Sequence, residues 1–557
     1  MNILIVYPKM SRYLGGHYDV QLGLAYISST LKAKGHQITC VNLNHYSDVS
    51  VIKEAVERGN IEVVCTGGQS PLYRQIKSIF DEVREYYPQI ITILGGGIIT
   101  AEPELIYKMI SPTYGVIGEG EETIAELMEA VEFNNDVSKV AGVIFSDKDG
   151  NIIKNSPRAP IANIDQIPFP DFDGFDVEKF LDNQTGSDVY YLHSLDQRPR
   201  MLPIISSRGC PYLCSFCFHP IGTRYRQRSL DNFFAELDLL ISKYNINCVN
   251  VFDELFAVKK ERVYEFCRRI TEYNIKWLTQ MRVNCVDEET LKSLKESGCI
   301  FISYGIESAS NAVLKSMKKA IKVEEINRAL ELTRKVGITI QGNLIIGDPA
   351  ETSETVKENI RWVNEHPEYD IGLGFINTYP GTELYFRAIE KGLIKNKEDF
   401  LKVGGGALNL TEMPDDQFYK LPLIFEVNNR KTKIRNAGKI VSMSKTLAIK
   451  SKGNTYNFEI CCPHCKCINK YRKFNILNEK HQSTSLVCKH CLQRYHMIPN
   501  LFFAKVLMNY YKFACLLPGK SGGFVFYVTV RLLSLTHFTT KENLDRGISF
   551  VKRIRKR

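Results

Sequence analysis

Two rhythms of apolar and polar positions alternate along the first part of the chain. Short β-rich apolar runs at Asn2–Tyr7, Gln37–Asn42, Ile61–Thr66, Ile90–Leu94 and Tyr114–Ile117 read as strands. Between them, and once after the last, apolar residues recur at helical spacing over Leu22–Lys34, Val51–Arg58, Leu72–Tyr87, Glu102–Met109 and Glu122–Val131. This alternation predicts an α/β fold that begins with a doubly wound, flavodoxin-like parallel sheet. Such sheets bind ligands at the carboxyl ends of their strands. The segments there are rich in small residues: Thr66, Gly67, Gln69 and Ser70, then Gly95, Gly96 and Gly97, then Gly118 beside Glu119. Glycine lets a backbone approach a ligand closely. One such loop would indicate only a tight turn; three at successive strand ends predict a bound cofactor over residues 1–133.

Residues 134–200 read as a connector, with an extended, proline-fixed segment at Ile167–Asp171. A second alternating region covers 201–395. Its strands are predicted at Leu202–Ser206, Asn247–Phe252, Lys276–Arg282, Ile300–Ile306, Thr339–Ile346 and Gly372–Asn377, with helices between them. Six β/α units are too few for a closed eight-fold barrel, so a partial (β/α)6 barrel is predicted. Residues 396–455 read as a basic linker or substrate-side region, 456–495 as a small cysteine module, and 496–557 as a basic, aromatic tail.

The chain has 557 residues and a formal charge of +10. Eleven Lys or Arg and two acids lie between Leu501 and Arg557, so +9 belongs to the tail and the body is near neutral. A basic end such as Lys552–Arg557, with apolar runs at Leu501–Phe503, Tyr510–Tyr511 and Gly522–Leu533, fits peripheral contact with an anionic membrane or a carrier protein. Nucleic acid is not expected as a partner. No stretch of eighteen apolar residues occurs, and the chain opens as a strand rather than a signal peptide, so a cytoplasmic location is expected.

Sixteen cysteines in a reducing compartment point to metal or redox chemistry. Cys210, Cys214 and Cys217 lie within eight residues, directly after a predicted strand, on a loop broken by Gly209 and Pro211. Iron–sulfur clusters commonly take four thiolates. Three leave one position open for a small molecule. Cys462, Cys465, Cys488 and Cys491 form two C-x-x-C knuckles, the spacing of a structural zinc ribbon. Cys461 and Cys467 flank the first knuckle, and the remaining cysteines read as buried, inert thiols.

The C-x-x-x-C-x-x-C pattern, with Phe216 before its third cysteine, resembles the radical S-adenosylmethionine (SAM) superfamily. The resemblance implies that Cys210, Cys214 and Cys217 hold a [4Fe-4S] cluster whose open iron chelates SAM. It implies reductive cleavage to a 5′-deoxyadenosyl radical, with electrons from a partner such as flavodoxin or ferredoxin. Later segments match the same family. Asp253 or Glu254 would meet the methionine amine and Arg282 its carboxylate. Gly305, Glu307 and Ser308 match a G-x-E-S segment, and Gly347 opens a segment near adenine. A doubly wound domain before such a core resembles the cobalamin-binding class of the superfamily. That implies cobalamin over the glycine loops and methyl transfer to an unactivated centre. The alternatives are radical rearrangement or cyclisation without methyl transfer, or, in another class, a non-catalytic iron–sulfur and zinc redox sensor or scaffold. One departure stands: the cobalamin-ligating D-x-H-x-x-G is absent, and Asp19 and the nearby His17 do not reproduce it. Transfer-RNA methylthiotransferases need three further cysteines in the first domain, where only Cys40 and Cys65 occur.

Overall fold

An uninterrupted apolar strand is what a sheet covered on both faces demands. Strand β1 (Asn2–Tyr7) meets that demand, with Ile3 through Tyr7 all buried. It pairs in parallel with β2 (Gln37–Asn42) on one side and β3 (Val63–Gly67) on the other. β4 (Ile91–Gly95) and β5 (Tyr114–Val116) continue the parallel sheet, so the chain reverses its winding at β1. The structure is a computed structural model that describes residues 1–10, 18–184, 198–256, 258–446, 454–476 and 483–516. His17, the Gly522–Leu533 run and the Lys552–Arg557 end lie outside the described residues.

Within the stretch read as a connector, β6 (Val143–Ser146) and β7 (Ile152–Lys154) add two antiparallel strands beyond β5. Their turn is tight enough that Gly150 takes φ +82°, while Asp147 accepts backbone N–H bonds from Asp149 and Asn151. The Ile167–Asp171 segment then runs back along the helix Leu22–Ala33. There Asp171 donates its backbone N–H to Ala25 and pairs with Lys32 at 2.6 Å.

The second sheet is six parallel strands. β8 (Met201–Ile204) is followed by a short antiparallel pair, β9 (Ser207–Arg208) and β10 (Arg226–Gln227). Next come β11 (Cys248–Val251), β12 (Lys276–Met281), β13 (Cys299–Glu307), β14 (Thr339–Ile346) and β15 (Gly372–Phe375), in spatial order 15-14-13-12-11-8. This is the partial barrel the pattern predicts. One apolar core runs from Ile3 and Tyr7 through Phe172 to Trp277 and Ile346, so the two sheets share their packing.

An open barrel leaves an unpaired edge that needs cover. The helix Leu421–Arg435, in the region read as a linker, supplies it. Asn429 accepts from the Leu373 N–H at 2.9 Å and donates to its carbonyl at 3.1 Å, as a neighbouring strand would, and Phe425 packs on Phe375. After this helix comes a three-stranded antiparallel sheet, β16 (Lys439–Thr446), β17 (Asn454–Cys461) and β18 (Ile468–Ile476). A hairpin, β19 (Thr484–Val487) and β20 (Arg494–Met497), follows, then the helix Leu501–Leu516.

Candidate functional site

The cysteine loop is a closed excursion. Ser207–Arg208 leaves beside Arg226–Gln227 returning, and Gly209 sits where they cross, at φ +79°. A Cβ there would lie 2.3 Å from the Arg224 carbonyl oxygen, so only glycine fits. The loop is pinned by Ser215, whose N–H donates to the Met317 carbonyl and whose carbonyl accepts from Leu384. Cys214 is buried, and Cys210 and Cys217 are half-buried. The Cys217 thiol, hydrogen-bonded to Cys214, lowers Cys214 to about 6 against its desolvation, helped by the positive charges of Lys319 and Arg282. Cys217 is raised by the same pairing. Three thiols on one loop beside two cations suit an anionic metal cluster. The loop follows the carboxyl end of the barrel strands, where such folds place their chemistry.

The strand ends around it divide into groups already engaged and groups still free. Asp253 is engaged: it accepts from the Ser206 N–H, the Ser206 hydroxyl and the Ser207 N–H at 2.6, 2.5 and 3.1 Å. It therefore fixes the turn leading into the cysteine loop. Glu254 has no hydrogen-bond partner among the described residues, reaches solvent, and is recessed enough that desolvation, then Asp253, pushes it up to about 6. Arg282 is buried, stacks 3.6 Å over the Tyr212 ring, and leaves its Nε unpartnered. Glu307 is held by Lys319 at 2.6 Å, and Lys319 also lies 5.7 Å over the Phe216 ring. Gly305 leaves room for that pair, since a Cβ there would lie 2.5 Å from Lys319 Nζ. Ser308 is buried and donates to Asn359, which leaves it in the support of the site rather than on its surface.

Gly347 carries φ +133° and turns the chain inward. Beyond it, Asp348 and Glu351 are fully buried, each with one carboxylate oxygen unpartnered. Desolvation, then the Asp348 charge, pushes Glu351 up to about 8. The carboxyl pair lies in the segment the sequence reading placed near adenine, but its burial is visible only in the fold. Lys319 and Tyr212 escape a sequence reading, because their contacts depend on segments brought together only by the barrel.

In the first sheet the glycines serve two purposes. Gly67, Gly96 and Gly97 let neighbouring loops touch: a Cβ on Gly67 would meet Gly95 O at 2.7 Å, on Gly96 Gly68 N at 2.8 Å, and on Gly97 Gln69 Oε1 at 2.1 Å. Gly95 and Gly118 have nothing within 4 Å of an added Cβ, so they open a cradle at the ends of β4 and β5. Thr66 spends its hydroxyl on the Val6 carbonyl, and Ser70 is buried. Glu119 differs from the reading of it as a cradle residue. Arg208 and Arg226 take one carboxylate oxygen each, which leaves the side chain locked away from a ligand. An open, glycine-lined cradle fits a large planar cofactor. The cysteine loop and the first sheet's helices meet at neighbouring elements: Phe218, next to Cys217, lies against Gly381, which also approaches Ala101, and Tyr385 donates to Glu102 at 2.8 Å.

The four ribbon cysteines converge within 4.8 Å of one another. Sγ–Sγ distances of 3.8 Å (Cys462–Cys491) and 3.5 Å (Cys465–Cys488) match the edge of a tetrahedron with metal–sulfur bonds of about 2.3 Å. The two knuckles repeat each other. His464 and His490 donate backbone N–H to Cys462 and Cys488, each at 3.4 Å, and Lys466 and Leu492 both take positive φ. Cys461 and Cys467 lie outside the tetrahedron.

Comparison with known proteins agrees with this layout. The Radical SAM superfamily profile matches residues 204–363, and the B12 binding domain profile matches 17–128. An uncharacterized methyltransferase of Pyrococcus horikoshii is 28% identical over 406 residues, 71% of this chain and 84% of the relative. An anaerobic magnesium-protoporphyrin IX monomethyl ester cyclase of Rubrivivax gelatinosus is 25% identical over 66% of each chain. The fold is similar to that of TsrM, a radical SAM methyltransferase of Kitasatospora setae solved with cobalamin and a [4Fe-4S] cluster. The TM-score is 0.58 at 19% identity, over 70% of this chain and 74% of that one.

Proposed function

The chain combines a B12-binding domain with a radical SAM domain, and from that premise we propose a cobalamin-dependent radical SAM methyltransferase acting on an unactivated centre. The observation that supports the reading is the cysteine loop at the barrel's carboxyl end, tied through Arg208 to Glu119, the residue after Gly118 of the open cradle. The cluster with SAM supplies a 5′-deoxyadenosyl radical, and cobalamin supplies a methyl carrier. The chain's residues do the rest. Cys210, Cys214 and Cys217 ligate the cluster. Glu254, free and recessed, accepts the methionine amine while Asp253 holds the turn. Arg282, whose Nε is unpartnered while its Nη2 holds the Lys319 carbonyl, pairs the methionine carboxylate. Lys319 holds Glu307 in place beside Phe216, and Gly347 lets the adenine side of the site close. Thr66, Gln69, Ser70 and Gly95–Gly97 shape the cradle floor.

The domain assignment is 1–133 for the cobalamin domain and 201–395 for the radical core, joined by 134–200. Residues 396–455 are the basic linker or substrate-side region, of which the helix Leu421–Arg435 covers the barrel edge and β16 joins the next sheet; 456–495 are the zinc-ribbon-like module with Cys462, Cys465, Cys488 and Cys491, and 496–557 are the tail. A flavodoxin or ferredoxin would deliver the electron in a cytoplasmic setting. No helix among the described residues is long and apolar enough to cross a membrane. The helix Leu501–Leu516 instead exposes Phe502, Val506 and Phe513 beside Lys505 and Lys512, with no acidic residue, which suits peripheral contact with an anionic bilayer. Sedimentation with anionic but not neutral vesicles, lost on removing 496–557, supports that contact; no binding by the intact chain ends it.

The deciding experiment is metal analysis of protein isolated without oxygen from cells fed cobalamin. The expectation is about four irons and one zinc per chain, with about one cobalt. Iron without cobalt would sink methyl transfer and favour the second reading, radical cyclisation, which draws on the cyclase-named relative. A fully loaded protein that releases no 5′-deoxyadenosine under reducing conditions would sink both.

A further inference from the structure

The loop carrying Gly118 and the strand pair bracketing the cysteine loop meet through four buried charges. Arg208 and Arg226 stand opposite each other across the β9–β10 pair. Arg208 reaches Glu119 at 3.1 Å and Glu121 at 2.6 Å, and Arg226 reaches the other oxygen of Glu119 at 2.7 Å. That same oxygen accepts the Ile161 N–H at 2.8 Å, and Arg226 donates to the Ile161 carbonyl at 2.8 Å. Tyr26 lies 5.1 Å beneath the Arg208 guanidinium. All four charged side chains are at most 9% exposed.

Two guanidiniums side by side repel unless an anion lies between them, and at this burial no solvent screens them. Glu119 is the carboxylate both arginines share. It is one residue from the open Gly118, and Arg208 is two residues from Cys210. A path of three backbone steps and one ion pair therefore runs from the cradle, through the shared carboxylate, to Cys210. Other links among the described residues, such as Tyr385–Glu102 at 2.8 Å, Lys397–Glu102 at 3.0 Å and Arg74 to the Lys402 carbonyl at 3.1 Å, attach helices away from the cysteine loop.

We propose that Glu119 is a positioning residue that fixes the distance and orientation of the cysteine loop relative to the cofactor cradle. A radical generated at one centre and a methyl held at the other must reach the same substrate atom, so looseness between them releases radical without transfer. The inference rests on the cluster and cobalamin reading above.

The test uses holoprotein carrying both groups, reduced so that the cluster and cob(II)alamin are both paramagnetic, without substrate. Their dipolar coupling in electron paramagnetic resonance reports separation and its spread. Glu119→Gln keeps the shape and removes the charge; Arg208→Lys keeps the charge and cannot reach both carboxylates. In each variant the expected result is full iron and cobalt content with a weakened or broadened coupling. Release of 5′-deoxyadenosine without substrate should rise several-fold. Hydrogen exchange of the segment 209–225 should accelerate, a reading that needs no cofactor. Full metal content with unchanged coupling and unchanged exchange in either folded variant overturns the proposal. Wild-type protein that takes up iron but no cobalamin refutes the cofactor reading instead, and exchange alone then decides whether Glu119 orders the loop.

Discussion

Glu351 shows how much a single side chain's surroundings decide. Burial and Asp348 push it up to about 8 from an ordinary 4.5. Between those values the folded chain holds a proton that the unfolded chain releases, so this group makes stability fall as pH rises from about 4.5 to about 8. Glu351→Gln should flatten that slope in denaturant titrations at several pH values across the window; an unchanged slope would place the proton elsewhere. The placement of Cys210, Cys214 and Cys217 on one loop was legible because their spacing is local and the loop follows a strand. Glu119 was not. Its partners lie 89 and 107 residues away, and a glutamate after a glycine carries no mark of an arginine that distant. Asp253 and Glu254 were read as equals for the same reason: only the fold shows that one already accepts three bonds.

The loops and strands show a similar division. Boundaries of the parallel strands followed directly from apolar runs, since a strand covered on both faces has no room for polar residues. The antiparallel β6–β7 pair and the edge-covering helix Leu421–Arg435 were missed. The first is short and half-exposed, and the second is basic on the face that reads as linker. Gly209→Ala would force a Cβ into the Arg224 carbonyl. It is expected to shift the cysteine loop and lower iron content sharply while leaving the melting of the barrel close to wild type; normal iron loading would show that the crossing can relax. In the ribbon, Cys465→Ala should abolish zinc binding and melt β17–β20. Iron content should stay unchanged, because the two centres share no ligand.

Across the chain as a whole, attachment of the ribbon rests on Asp370, buried just before β15. Burial alone would raise its carboxyl, but Arg494 and His496 override that and hold it well below the usual range. The contacts are 2.7 Å to Arg494 and 2.8 Å to His496. This contribution is present at neutral pH and is lost as pH falls below the ordinary carboxylate range. Asp370→Asn removes the carboxylate that balances a buried arginine and should cost about 3–5 kcal/mol, read as earlier unfolding of the ribbon in calorimetry. A shift of less than about 1 kcal/mol would mean that the hydrogen bonds from Thr339 and Gln493 suffice.

Those anchors all sit at the amino ends of β14 and β15, whereas the thiols, Glu254, Arg282 and Gly347 leave from the carboxyl ends. The ribbon's outward surface is thus insulated from the reaction centre by the full depth of the barrel. Substitutions there change what the ribbon presents to its surroundings without touching a thiol, carboxylate or guanidinium of the reaction centre.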